Sequence, residues 1–436
     1  MKVMKFGGTS VGSAQRMKNV AKIVLDGQPN LVVLSAMSGT TNSLVEISDY
    51  LSRKNRDGAR EVIGKLYDKY VREVEDLYSG EEFKTAGMDL IREHFDYIRS
   101  FTNDVFTAYE EKVVLSQGEL ISTGMFNLYL KEQGIDSVLL PALDFMKTDE
   151  NGEPDQVFIK ENIGRILEAN QGHQIYITQG FICRNAFGDV DNLQRGGSDY
   201  TASLVGAAIG AEEIQIWTDI DGMHNNDPRF VEGTSPVSDL SFDEAAELAY
   251  FGAKILHPTC VLPAKSNNIP VRLLNTMEPE ARGTMISSVQ YRNRIAAVAA
   301  KDNITAIRIH SSRMLLAYGF LRKVFKIFET YKTSIDMIST SEVGVSVTVD
   351  NTRHLDAIVD DLKKYGMVEV DRGMTIISIV GDLEPYSHGY AGKIFQALSS
   401  VPVSMISYGG SSHNVSILVR GEDKVTALRA LSAGLF

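Results

Sequence analysis

Two isolated lysines, two glycine pairs and several acids stand at the ends of apolar runs, and their types suit the handling of phosphate. Lys5-Phe6-Gly7-Gly8-Thr9-Ser10 puts an ammonium on a strand and two glycines directly after it. Glycines let backbone N–H groups close on phosphate oxygens while the lysine supplies charge. The order is not that of a Walker A loop, whose lysine follows its glycines. Gln194-Arg195-Gly196-Gly197-Ser198-Asp199 brings a second glycine pair between an arginine and an acid. Ser116-Gln117-Gly118-Glu119 reads as a helix start with a buried acid, and Thr218-Asp219-Ile220-Asp221-Gly222 follows the apolar run Ile214–Trp217. Phe251-Gly252-Ala253-Lys254-Ile255-Leu256-His257-Pro258 adds the second lysine. A single glycine turn is weak evidence. The set points to phosphoryl transfer from a metal-bound nucleotide. No G-x-G-x-x-G follows the first strand, which disfavours a dinucleotide-dependent oxidoreductase. Asp221 reads as a solvated loop residue, His257 as structural and Trp217 as core.

The elements that must position these groups alternate. Val3–Phe6 and Leu31–Leu34 read as strands around a helix over Gln15–Leu25, and both strands end in small polar loops. Val138–Leu140, Ile175–Thr178 and Ile214–Trp217 read as further strands, with helices near 160–168, 199–210 and 241–250. Buried apolar strands feeding loops and helices signal an open, mostly parallel α/β sheet, whose ligands bind beyond the carboxyl ends of the strands. Residues 43–112 carry charge and helix formers at helical spacing and read as two or three amphipathic helices, a scaffold or lid. The chain has 436 residues, which suggests about three domains at about 150 residues each. Lys plus Arg is 44 against 56 Asp plus Glu, a net charge of −12 that argues against a sequence-blind nucleic-acid binder. No apolar run reaches the roughly 18 residues of a membrane span. The opening residues form a strand pattern without a signal-peptide layout, and Cys183 and Cys260 stand apart. A reduced, cytoplasmic protein without nucleic-acid or membrane partners is expected.

The last third repeats itself. Thr305–Ile309 matches Thr375–Ile379, Gly319 matches Gly389, and Val345-Ser346-Val347 matches Val415-Ser416-Ile417, all at an offset of 70. Each copy reads strand, helix, strand, strand, helix, strand, a ferredoxin-like βαββαβ unit. The order and the glycine at the first strand–helix turn resemble ACT domains, which bind amino acids as regulatory ligands. The first copy has Ser334-Ile335-Asp336 where the second has Pro402-Val403-Ser404. A carboxylate holds a ligand amine better than a serine does, so the effector site is expected near Asp336, with Gly319-Phe320-Leu321 across from it.

Lys5-Phe6-Gly7-Gly8-Thr9-Ser10-Val11, Arg195-Gly196-Gly197-Ser198-Asp199-Tyr200-Thr201-Ala202, Trp217-Thr218-Asp219 and Asp227-Pro228-Arg229 together resemble the aspartate kinases. The resemblance spans the whole chain. It implies an amino-acid kinase (carbamate kinase-like) fold over 1–292, an open, mostly parallel eight-stranded sheet sandwiched by helices. ACT domains over 300–372 and 373–436 would follow. It further implies transfer of the ATP γ-phosphate to the β-carboxylate of L-aspartate, the first step toward lysine, threonine and methionine. That nucleophile is ionised at neutral pH, so no general base is needed; what is needed is neutralisation of two anions. Lys5 is expected to bridge the γ-phosphate and the β-carboxylate, Gly7 and Gly8 to donate N–H groups, and Asp199 to orient Lys5 or a magnesium-bound water. By the family pattern Arg195 clamps the α-carboxylate and Glu119 the α-amine, with Ser35, Thr41 and Ser198 completing the pocket. Thr218 and Asp219 resemble the nucleotide loop, and Asp227, Arg229 and Lys254 would address ribose and phosphates. His224 stands where a tyrosine usually packs near the base, Asn225-Asn226 replaces a threonine pair, and Asp221 and Gln194 stand where Pro and Gly are common. Magnesium is expected on the ATP rather than on protein ligands.

The first ACT copy is most similar to the lysine-sensitive type. Met314, Gly319, Phe320, Leu321, Ser334, Ile335, Asp336, Ser341 and Glu342 align with that type's effector stretch. Feedback inhibition by L-lysine is implied, with threonine as the alternative effector, in a homo-oligomer assembled through the ACT domains. A related kinase with another acceptor, and a catalytically silent amino-acid sensor, are the rival readings.

Overall fold

The computed structural model describes residues 1–193, 196–252, 257–311, 318–383 and 389–436. They fall into two compact units, one of 1–223 with 255–288 and one of 224–254 with 289–436.

Seven strands of a sheet belong to the first unit. In order they are Ser137–Leu139, Ile175–Gln179, Asn30–Leu34, Lys2–Phe6, Ile214–Thr218, Val271–Asn275 and Thr284–Ser287. The first six pair in parallel and the last is antiparallel. Asn30–Leu34 and Ile175–Gln179 are buried at every position, as a parallel strand covered on both faces must be. Lys5 lies in register with Val33 on one side and Ile216 on the other. The loops that follow these three central strands therefore leave the sheet at one edge, side by side.

The expected strand at Val138–Leu140 is found one residue earlier. The helices expected near 160–168 and 199–210 are Gln156–Ala169 and Gly197–Ile209. Residues 43–112 hold the helices Thr40–Ser52, Arg56–Leu77 and Glu81–Ser100 and the start of a fourth, Ala108–Glu132. Ser116-Gln117-Gly118-Glu119 lies in the middle of that fourth helix, not at its start. The start is set by a capping box, in which the Thr107 side chain and the Glu110 carboxylate satisfy each other's backbone N–H groups. Gly118 lets this helix approach the loop after Leu34: a Cβ there would lie 2.8 Å from the Ala36 methyl. Phe6, Met37, Tyr70, Phe95, Phe126 and Trp217 share the core, and Trp217 stacks on Phe6 at 5.7 Å.

The second unit carries a six-stranded antiparallel sheet in the order Ile338–Thr340, Gly344–Val349, Ile295–His310, Met367–Gly381, Asn414–Arg420, Met405–Tyr408. The sequence repeat is a structural one. Ile307 pairs with Val347 and Ile377 with Ile417, each member displaced by 70 residues. Phe320–Thr330 and Leu355–Leu362 cover one half around Ile307, Val324 and Val347; Tyr390–Ala397 and Lys424–Leu435 cover the other around Ile377, Ile394 and Ile417.

The expected strand order fails in one respect. The second copy takes its sixth strand from residues 295–301, which run against 376–381. The 16-residue strand Ile295–His310 thus serves both copies, as does Met367–Gly381, and the expected division at 372/373 falls inside the latter. The segment 224–254 holds the helix Phe242–Tyr250, capped by Ser241 and Glu244. Among the described residues no helix is long and apolar enough to cross a membrane.

Candidate active site

Lys5 is the penultimate residue of its strand, with its side chain almost covered, and its ammonium lies 2.6 Å from the Asp199 carboxylate. Asp199 stands in the first turn of Gly197–Ile209, a helix whose N-terminus has no side-chain cap. The free N–H groups and the positive end of the helix dipole favour an anion there. Gly196 and Gly197 open that helix with φ of 77° and 47°, a backbone region that glycine enters without penalty. A Cβ on Gly7 would sit 3.5 Å from Lys5 Nζ, so the ammonium hangs over the glycine turn.

The expectation that both glycines donate to phosphate needs a correction. The Gly7 N–H already donates to the Trp217 carbonyl at 3.2 Å. That bond ties the turn to the neighbouring strand, and the Ser10 and Val11 N–H groups donate to the Gly7 carbonyl, which leaves the donor duty to Gly8 and Thr9. Gly8 must be glycine for another reason: a Cβ there would come within 2.9 Å of the Ala36 carbonyl oxygen.

The loop 35–39 after the second strand is held from several sides. Ser35 Oγ donates to Ser198 Oγ at 2.9 Å. Glu119 Oε1 accepts the Ala36 N–H at 3.2 Å, while Oε2 is buried without a partner among the described residues. Burial pushes the Glu119 carboxyl up to about 8, against the pull of the Ala36 hydrogen bond. Ser35, Ser198 and Glu119 are thus gathered at one loop, and Ser198 is next to Asp199. Thr41 is exposed on the first turn of Thr40–Ser52; its buried neighbour Thr40 bonds the Tyr70 hydroxyl at 2.8 Å.

Thr218 closes its strand and accepts the Ile220 N–H on its hydroxyl, and Asp219 is exposed just beyond. His224, Asp227 and Arg229 belong to the second unit. His224 Nδ1 bonds Thr234 Oγ1 at 2.9 Å. Arg229 grips Asp227 with Nε and Nη2, the latter at 2.6 Å, and its largely exposed guanidinium also lies 5.6 Å from the centre of the Phe230 ring. Burial raises the Asp227 carboxyl, but the Arg229 hydrogen bonds and charge outweigh it, so the group stays below its ordinary value.

Asp336, expected from sequence to receive a ligand amine, holds an ammonium of the chain's own. Its side chain is 2 % exposed, and Oδ1 takes the Lys301 ammonium at 2.8 Å and the Tyr250 hydroxyl at 3.0 Å. Burial, the largest influence, pushes its carboxyl up even so. Gly319 caps Phe320–Thr330 with φ 79°. Phe320 is buried and Leu321, Ser334, Ser341 and Glu342 are exposed, while Ile335 is half-buried. Arg195, Lys254 and Met314 lie outside the described residues.

Sequence reasoning missed three contributors. Phe181 holds φ 69°, strained for a side chain of that size. Its backbone N–H bonds Thr201 Oγ1, and its ring faces Gly197. Gly180 has no room for a side chain, since a Cβ would strike Ser198 at 2.3 Å. Lys69 donates to the Ser38 carbonyl at 2.5 Å. The left-handed turn at Phe181 leaves no sequence signal; Gly180 after an apolar run was visible as a glycine but not as a neighbour of Ser198.

Comparison with known proteins bears on this arrangement. Residues 1–275 match the amino acid kinase family and residues 377–435 an ACT domain. The chain is 33% identical over 450 residues to lysine-sensitive aspartokinase 3 of Escherichia coli (strain K12), covering 100% of this chain and 99% of that protein. It is 34% identical over 457 residues to the chloroplastic aspartokinase 1 of Arabidopsis thaliana, covering 100% and 80%. Among solved structures, E. coli aspartokinase III with aspartate and ADP (R-state) superposes with a TM-score of 0.86 at 33% identity, with both chains covered in full. The same enzyme with lysine and aspartate (T-state) gives 0.82, covering 100% of this chain and 99% of that one.

Proposed function

The chain belongs to the amino acid kinase family as an aspartokinase, and we propose that Lys5, Asp199 and the loop 35–39 carry its transfer of the ATP γ-phosphate to L-aspartate. An oxygen of the β-carboxylate attacks the γ-phosphorus, the bond from that phosphorus to the β,γ-bridging oxygen breaks, and ADP leaves. The attacking group is already an anion, so Lys5 acts as an electrostatic bridge between carboxylate and phosphate rather than as an acid or base. Asp199 holds the ammonium in place. Gly8 and Thr9 donate N–H groups to the phosphates. Glu119 takes the α-ammonium, with Ser35, Thr41 and Ser198 around it, and Arg195 takes the α-carboxylate in the manner suited to its planar fork. Thr218 and Asp219 serve the nucleotide. The carboxylates fit a magnesium ion carried on the ATP phosphates: Asp199 is committed to Lys5 and Asp219 stands singly at a strand end, and Mg2+ keeps several waters rather than entering an all-protein cage. When bound, that ion spreads the charge of the β- and γ-phosphates.

The observation that carries this reading is the 2.6 Å Lys5–Asp199 pair over the glycine turn. ADP release with aspartate, glutamate and no acceptor tests it. Release that prefers another acceptor, or needs none, would overturn it.

Regulation belongs to the same proposal. The first ACT copy binds L-lysine, and Asp336 supplies a carboxylate for an amino group. The support is the lysine complex of the E. coli relative and the burial of Asp336 against an ammonium of the chain's own, Lys301. An effector can act only through unequal affinity for two states, so an incoming ammonium must displace Lys301 or join it. Asp336→Ala is expected to raise the lysine concentration for half-inhibition at least about tenfold, the weight of one charge-assisted hydrogen bond, with kcat without lysine unchanged. Lysine and threonine titrations of both proteins check this. Equal sensitivity to lysine before and after the substitution would refute the assignment.

A further inference from the structure

The helix Arg56–Leu77 looks from sequence like scaffold, yet one face of it reaches both loops of the reaction. Lys69 and Glu73 are four residues apart, hence neighbours on that face, with Tyr70 beside them. Lys69 Nζ donates to the Ser38 carbonyl at 2.5 Å, and a Cβ on Gly39 would be 4.0 Å from the same nitrogen. Gly39 holds φ 80° and opens the helix Thr40–Ser52, so Lys69 grips the tightest point of the loop that runs from Ser35 to Thr41. Tyr70 secures the next residue through Thr40. Glu73 Oε2 accepts the Ala14 N–H at 2.7 Å. Ala14 is the first residue of the helix that follows the glycine turn, and Arg16 of that helix donates to the Thr9 carbonyl inside the turn at 2.6 Å. One helix face therefore anchors the acceptor loop with a cation and the phosphate loop with an anion.

We infer that Lys69 and Glu73 are positioning residues for the two reactants, Lys69 setting the aspartate loop and Glu73 the phosphate loop. Both anchors are charged partners of neutral backbone groups, and such bonds are roughly twice as strong as neutral ones. Lys69 is half-buried, and burial holds its ammonium below the ordinary lysine value against the opposing charge of Glu73. A cation kept on a main-chain carbonyl under those conditions fixes a geometry. Backbone bonds from Thr40 to Met37 and from Ser43 to Gly39 shape the Ser38–Gly39 turn, and Lys69 is the side chain that ties it to the neighbouring helix among the described hydrogen bonds.

The inference rests on the aspartate pocket at Ser35, Thr41 and Glu119. The test is a pair of substitutions read as KM for each substrate. Lys69→Met is expected to raise KM for aspartate about tenfold, one charge-assisted bond, with KM for ATP within about twofold. Glu73→Met is expected to do the reverse. Lys69→Arg keeps a donor and should recover most of the loss. Thermal unfolding of each variant separates positioning from folding. Unchanged KM values, or equal rises in both KM values with a lowered Tm, would overturn the inference. Glu119→Gln serves as the control: if it leaves KM for aspartate unmoved, the pocket reading itself fails, and if it raises that KM while Lys69→Met does not, only the positioning role fails.

Discussion

Lys5→Ala is expected to lower kcat about 10³-fold, the upper range for removing one preorganised electrostatic donor, while KM for ATP changes little. The reaction brings a carboxylate to a phosphate that already carries charge, so the barrier is largely the repulsion between them. Lys5 is the cation that the sheet itself delivers to that place. It is in register between buried Val33 and Ile216, its side chain is 10 % exposed, and Asp199 fixes its tip at 2.6 Å. In such a site a unit charge acts through a lower effective dielectric than in water. Lys5→Arg should not rescue. The guanidinium is broader and planar, and cannot take the place of the compact ammonium that Asp199 holds at 2.6 Å. Asp199→Asn should cost less than Lys5→Ala, since the cation stays and only its orientation loosens. Single-turnover ADP formation at saturating ATP and aspartate measures the chemical step. A Lys5→Ala rate within tenfold of the parent protein would remove Lys5 from the mechanism.

What the chain's sequence discloses depends on where each partner lies. Asn30–Leu34 and Ile175–Gln179 announce a parallel sheet because burial on both faces leaves an unbroken apolar run. Lys5 and Asp199 are legible because each sits in a short string of unusual composition. The Gly7 N–H is not, because its acceptor is the Trp217 carbonyl, and a backbone acceptor can belong to any residue type. Lys69 escapes for the same reason, since a lysine amid charged helix formers looks solvated until the Ser38 carbonyl is brought to it. The start of Ala108–Glu132 was misplaced because Ser116-Gln117-Gly118 has the small polar residues of a helix cap, while the actual cap at Thr107 and Glu110 lies in a polar stretch without contrast. The repeat at 70 residues gives the ACT copies but not the exchange of a strand between them. Pairing of 295–301 with 376–381 joins segments on either side of an entire copy. Local pattern specifies that a strand forms and not which strand it finds. Asp336 shows the same limit in charge: its loop position was readable, and its neutralisation by Lys301 was not.

Glu119 carries the second large effect, and its sign follows from burial. One carboxylate oxygen has the Ala36 N–H and the other has no partner among the described residues. With the carboxyl pushed up to about 8, the free protein at neutral pH holds this group mostly protonated. An α-ammonium entering the pocket supplies the missing partner and favours the carboxylate. Aspartate binding at neutral pH should therefore release a proton, and KM for aspartate should fall as pH rises toward about 8 and then level. Glu119→Gln should raise KM for aspartate by about 10²-fold at that plateau, within the range for a buried hydrogen bond to a charged group, and should flatten the pH dependence. The same raised value has a consequence for folding. The folded state binds this proton more tightly than the unfolded chain does, so its share of stability is full at low pH. It is lost as pH climbs from the ordinary carboxylate range to about 8. Without substrate, Glu119→Gln should thus unfold at a higher temperature than the parent protein at alkaline pH and at a similar one in mild acid. Saturating aspartate should reverse the alkaline order, because it stabilises the parent carboxylate and finds only an amide in the variant. Steady-state kinetics across pH with paired thermal melts decide the matter. A KM for aspartate that ignores pH in the parent protein would show that Glu119 meets no ammonium.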